Sequence, residues 1–236
     1  MVEFQFEKQL LPAITLCLPS LIQDTSSYAF TTEFSVGYRS IDVLVTSLPF
    51  QNHTIEESVP GIFARLTLAD LAVLERIYTL KKVTKKRLKA ELYIDSDEVI
   101  SNYLTRLLRM ELIQAVLRSY CVTDWSSLLP NELVSIELKL TDWRNAIKQA
   151  AYNSKFSDKS FIALPHSTAA ENQALFSSTR DANIGVISVI EDDDVSIASP
   201  ALIRRRNRFQ NLQKLRVLRD MAVKTEKWEF AEVLQH

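Results

Sequence analysis

Apolar and polar residues recur along this chain with two different periods, and the switches between them mark its segments. In residues 4–18, Leu10, Leu11, Ile14 and Leu18 fall at helical spacing. A helix is expected there, with Pro12 marking a kink or a break. Two strand-like runs follow, residues 28–36 and 39–46, on either side of Gly37 and Tyr38. In the second run Ile41, Val43 and Val45 point one way, while Asp42 and Leu44 point the other. Residues 49–60 are polar and hold two prolines, so they read as a linker.

Helical periodicity returns at residue 66. Thr67 or Asp70 can cap a first helix carrying Leu68, Leu71, Leu74 and Ile77. A second, short helix is expected over 84–92, with Leu88 and Leu92 buried. A third follows Asp95 and Ser96 over 97–110, with Val99, Ile100, Tyr103, Leu104, Leu107 and Leu108 apolar. The stretch after it ends as a strand or a tight hairpin. Three short helices and a β-wing outline a winged helix-turn-helix. A second linker is expected at 125–131, then a strand at 133–140. A helix capped by Thr141 or Asp142 runs to about residue 152 or 155, and strands follow at 160–164 and 184–190. Glu191 to Asp194 read as an acidic turn, and residues 201–236 as one or two helices.

Composition narrows the function classes. Hydrophobic residues make up 47% and charged residues 24%, as in ordinary globular proteins. Only 3 glycines are present, and neither a Walker loop nor a GxGxxG fingerprint occurs. The formal net charge is −1, so any nucleic-acid surface must be local. Cys17 and Cys121 have no CxxC or Cys/His partner, which argues for reduced thiols rather than zinc. The apolar stretch 9–22 is broken by Pro12 and Pro19 and lacks a basic leader, so neither a membrane span nor a signal peptide is expected. A cytoplasmic protein is expected. His53, His166 and His236 pair with no nucleophile at a readable spacing, which gives no support to serine- or zinc-hydrolase chemistry.

One strand carries an unusual pair of charges. Glu137 and Lys139 are two apart, so both project from the same face, while Ile136, Leu138 and Leu140 project from the other. Opposite charges on a core strand are costly unless they have a task. Phosphodiester hydrolysis is one such task. Carboxylates on neighbouring strands can hold hard cations such as Mg²⁺, and a lysine can orient water or steady the phosphoryl group.

An Asp on one strand, Glu-x-Lys on a later one, then a helix bearing Gln149, resembles the PD-(D/E)XK superfamily. These restriction-endonuclease-like nucleases have an α-β-β-β-α-β core. The resemblance implies an α/β fold with a nuclease-like core over 1–48 and 131–200 and a mainly helical winged-helix-like domain inserted at 61–124. A basic helical segment would complete it at 201–236. It also implies a nuclease dependent on Mg²⁺ or Mn²⁺, with DNA as the expected substrate. Asp42 and Glu137 would be metal ligands, Lys139 the catalytic lysine, and Gln149 a further site residue. Glu7 would be an additional acidic ligand, with Glu33 an alternative for that position. Ile41 replaces the proline of the nominal motif, and Glu137 lies 95 positions after Asp42, where a short hairpin is usual. The inserted domain accounts for nearly all of that separation. Gln149 and Tyr152 are three apart, not four as in helicase-associated members, so Tyr152 receives no catalytic role.

Basic residues suggest where nucleic acid would touch the insertion. Lys81, Lys82, Lys85, Lys86, Arg87 and Lys89 cluster there, although Asp95, Asp97 and Glu98 open the helix that would be expected to meet DNA. A protein-interaction role for this module therefore stays open, as does a non-catalytic protein retaining the nuclease fold. Arg204, Arg205, Arg206 and Arg208 open the last helix and would extend a DNA channel or make a homodimer contact.

Overall fold

The computed structural model describes residues 4–22, 27–36, 39–49, 61–170, 172–190, 195–202 and 208–232. Along the chain lie α1 (Leu11–Leu21), β1 (Ser27–Val36), β2 (Arg39–Ser47), α2 (Leu68–Leu80), β3 (Val83–Thr84), α3 (Lys85–Leu92), α4 (Asp97–Arg109), β4 (Ile113–Val116) and β5 (Ser119–Val122). There follow β6 (Leu133–Leu138), α5 (Trp143–Asn153), β7 (Lys159–Pro165), α6 (His166–Ala169), α7 (Gln173–Ala182), β8 (Gly185–Val189), β9 (Val195–Ser199), α8 (Arg208–Val223) and β10 (Glu229–Glu232). They form two units. The first draws on Met1–Gln51, Pro130–Arg206 and Lys227–His236, and the second on Asn52–Leu129 and Asn207–Glu226.

The first unit is α/β, with a mixed sheet ordered β10-β1-β2-β6-β7-β8-β9. Its β10, β1, β2 and β6 each run antiparallel to their neighbour, β6, β7 and β8 run parallel, and β9 closes the far edge antiparallel to β8. Alternation along the strands gives the sheet two apolar faces. Leu10, Ile14, Leu18 and Leu21 cover one, packing with Val43, Val45, Ile136, Leu138 and Phe161. Ala146 and Ala150 of α5 and Leu175 of α7 cover the other, over Ile162, Leu164 and Val186. Parallel strands need crossovers, and α5 and α7 supply them. Gly185 pairs with Phe161, whose ring lies 2.3 Å from where a Cβ would stand. No larger residue fits there without moving that ring.

Pro12 begins a helix instead of kinking one. A 3-10 turn, Glu7–Leu10, comes first, and α1 starts with Pro12 in its first turn, where a missing N–H costs nothing. The single helix expected over 4–18 is thus two pieces, and the second reaches Leu21. The sequence reading also passed over α7, β9 and β10. The C-terminal stretch is not helical throughout: β10 pairs with β1, and Trp228 just before it packs edge-to-face on Phe34 at 6.0 Å. Residues 50–60, the acidic run 191–194 and Arg204 to Arg206 lie outside the described residues.

The second unit has α2, α3 and α4 and a small antiparallel sheet ordered β3-β5-β4. Thr67, Thr84 and Ser96 cap the three helices, accepting from the backbone N–H of Asp70, Arg87 and Val99. Phe63, Leu71, Leu74, Leu88, Ile100, Leu104 and Leu107 are buried inside it. The expected linker at 125–131 contributes to this core: Trp125 packs on Phe63 at 5.7 Å and donates its indole N–H to the Leu112 carbonyl. Helix α8 belongs here too, with Leu215, Val217, Leu218 and Met221 buried and Arg219 donating to the Leu66 carbonyl at 2.6 Å. Among the described residues no helix is long and apolar enough to cross a membrane.

Candidate active site

The antiparallel register of β2 and β6 decides which side chains meet. Val43 pairs with Ile136, so Asp42 falls opposite Glu137 on the face that α5 covers. The Asp42 Oδ2 accepts the Leu138 backbone N–H at 2.8 Å, and the two carboxyl groups hydrogen-bond to each other. β6 is buried along its whole length, and Glu137 is 2% exposed.

Lys139 lies just past the end of β6. Its Nζ is 3.7 Å from Glu137 Oε1, donates to the Leu138 carbonyl at 2.8 Å and donates to Glu7 Oε2 at 3.1 Å. Glu7, on the 3-10 turn, therefore joins the group through Lys139. Glu33 does not. The register places it opposite Asp42, between the Thr32–Val43 and Phe34–Ile41 pairs. Its φ of 55° lies in the left-handed region, and its exposed carboxylate pairs with Lys8 at 3.4 Å.

Helix α5 completes the site from above. Asp142 caps it, accepting from the Asn145 N–H at 3.1 Å. Buried Asn153 donates its Nδ2 to Glu137 Oε2 at 3.2 Å. Gln149 stands one helical turn before Asn153, and its Oε1 is buried with no hydrogen-bond partner. Asn153 was missed in the sequence, although the four-residue step from Gln149 puts both on one helix face.

Burial and crowding set the protonation of the pair. Burial, then the adjacent Asp42 carboxylate, pushes Glu137 up to about 8, against the attraction of Lys139. Burial also raises Asp42, opposed first by the Leu138 N–H and then by Lys139. The pair consequently holds a proton at neutral pH that a hard cation would displace.

The donors present suit such a cation: two touching carboxylates and a buried amide oxygen that accepts no hydrogen bond in the fold. Among the described residues no three His, Cys, Asp or Glu side chains form a metal-binding group, so Glu7 stands apart from a ready-made ligand set. Comparison with models of known families, with curated proteins and with solved structures returned no match.

In the second unit the expected basic cluster is partly spent on local ion pairs. Asp97 lies 3.8 Å from Lys85 and pairs closely with Lys89, which holds its carboxyl below the usual range. Arg87 lies 3.7 Å from Glu91. Lys81, Lys82 and Lys86 are exposed.

Proposed function

We propose that this protein is a Mg²⁺- or Mn²⁺-dependent nuclease of the restriction-endonuclease-like type, with DNA as its substrate. The observation that carries this reading is the pairing of Asp42 with Glu137 across neighbouring strands, with Lys139 3.7 Å from Glu137. The succession α1-β1-β2-β6-α5-β7 supports it, being helix, three antiparallel strands, crossover helix and parallel strand.

Asp42 and Glu137 would hold the cation, with Gln149 as a further oxygen donor. The bound ion would supply charge stabilisation at the phosphoryl group and a more acidic water. Lys139, steered by Glu7 and the Leu138 carbonyl, would place its ammonium against the phosphate. Asn153 would orient Glu137. The second unit, with three capped helices and a three-stranded sheet, fits a winged-helix module, and Lys81, Lys82 and Lys86 are exposed on it.

The direct test is cleavage of plasmid and linear DNA by the full chain. Strand scission is expected with Mg²⁺ or Mn²⁺ and none in EDTA. Binding without scission in either metal would leave a non-catalytic nucleic-acid-binding protein that kept the fold.

Gln149 gives a second test. Removing an unsatisfied buried oxygen relieves about 1–3 kcal/mol of desolvation penalty. Gln149→Leu is therefore expected to melt no lower than the parent protein while cleaving roughly 10–100-fold more slowly. Lower melting with undiminished cleavage would assign that oxygen a purely structural part.

A further inference from the structure

The outer face of α5 has a use that the site below it does not explain. At about 100° per residue, Arg144, Lys148, Tyr152 and Lys155 fall within roughly 80° of one another, the last on the turn continuing the helix. Ala146, Ala150 and Asn153 occupy the opposite, buried side. Arg144, Lys148 and Lys155 are exposed, α5 contains no acidic residue, and none of the three has an acidic partner among the described residues. This differs from the second unit, where Lys85, Arg87 and Lys89 are already paired.

A cation from another element joins the stripe. Arg39, three residues before Asp42 on β2, sets its guanidinium 5.1 Å from the Tyr152 ring centre. The Lys155 Nζ lies 5.5 Å from the same ring. Tyr152 thus holds two cations by their attraction to its π face. The four charges run from the start of β2 along about 16 Å of helix, long enough to meet several successive phosphates.

We propose that Arg39, Arg144, Lys148 and Lys155 form a phosphate-binding stripe that seats a nucleic-acid backbone along the outer face of α5, with Tyr152 positioning two of the cations. That the stripe feeds a cleavage site rests on the nuclease reading; that it binds phosphates does not.

The test measures affinity of the full chain in EDTA, so that cleavage plays no part. The probes are a fluorescein-labelled DNA duplex and one of its strands alone. Each phosphate contact contributes about −0.9 to the slope of log K against log salt on a duplex and about −0.7 on a single strand. The combined Arg144→Ala, Lys148→Ala, Lys155→Ala variant is expected to flatten the slope by about 2.7 on the duplex or about 2.1 on the strand. The probe whose slope flattens by its full expected amount is the form the stripe seats. Tyr152→Leu is expected to weaken binding about two- to fivefold per released cation. The three alanine changes lie at exposed positions and should leave the melting temperature in place.

Unchanged slopes on both probes, or a parent protein that binds neither, overturns the proposal. So does a slope that flattens only when Lys81, Lys82 and Lys86 are replaced. Flattened slopes in a protein that cleaves nothing keep the stripe and remove the nuclease; cleavage with unchanged slopes does the reverse.

Discussion

Glu137→Gln is expected to abolish cleavage and to stabilise the metal-free protein at pH 8. The amide keeps the shape and the Asn153 contact but loses the charge that would hold a cation, and a loss of at least about 10²-fold in rate is expected. Lys139→Ala should match it in activity, since no other described cation lies within ion-pair reach of Glu137. The stability effect follows from proton linkage. Glu137 holds its proton up to about pH 8 in the fold, whereas an unfolded glutamate releases it near the ordinary value of 4.5. Between those values the folded state binds more protons, so metal-free stability falls as pH rises through that window. Gln carries no such linkage. In EDTA the melting curves of parent and variant should converge below about pH 4.5 and separate toward pH 8, the variant melting higher. Each ~1 kcal/mol of relief moves the midpoint by about 2–4 °C in a chain of this size. Parallel curves across the range would mean that Glu137 is ionised in the fold.

Added Mg²⁺ or Mn²⁺ should reverse that order. A ligand that binds only the native state stabilises it in proportion to ln(1 + [L]/Kd). The parent protein gains this term and Glu137→Gln does not. Thermal shift with the metal alone thus tests the donor set without any nucleic acid present.

How much of this was legible in the sequence depended on the period of each segment. Apolar and polar residues alternate from Val134 to Leu140, so the common face of Glu137 and Lys139 could be read directly. That Asp42 falls opposite Glu137 could not, because register is a property of two strands that 95 positions separate. α7 escaped because its helical face is thin: Leu175 and Thr179 are its buried positions among polar neighbours. β9 lies at the sheet edge with most of its side chains half-buried or exposed, which leaves no alternating signal. β10 was hidden behind basic helical sequence, and its pairing with β1 is a tertiary choice. The pairing of Glu7 with Lys139 likewise depends on where the 3-10 turn lies.

Lys159→Ala is expected to cost about 3–5 kcal/mol, lowering the melting midpoint by roughly 6–20 °C. Lys159 and Glu132 are both buried and their charged atoms are 2.8 Å apart. Lys159 also donates to the Leu21 carbonyl at 3.0 Å, so the alanine would take an ammonium from a buried carboxylate and a donor from that carbonyl. The position of this pair gives the loss a second consequence. Glu132 is where the chain re-enters the sheet after the inserted segment: its N–H donates to Ser47 Oγ at 2.8 Å, and its carbonyl accepts from the Ser47 N–H at 3.1 Å. Asp158 ties the next residue by exchanging bonds with Leu133 at 2.8 Å. This clamp sets the register of β6 against both β2 and β7, and a one-residue slip would turn Glu137 away from Asp42. Lys159→Met, apolar and similar in length, removes the same ammonium from Glu132, so Glu132→Gln with Lys159→Met is the informative partner. It should recover most of the stability, because with both charges removed neither is left buried and uncompensated. Cleavage should return with it if the register is restored, and stay lost if the charges themselves specify the pairing. Melting of Lys159→Ala within a degree or so of the parent would show that the clamp does not hold the sheet.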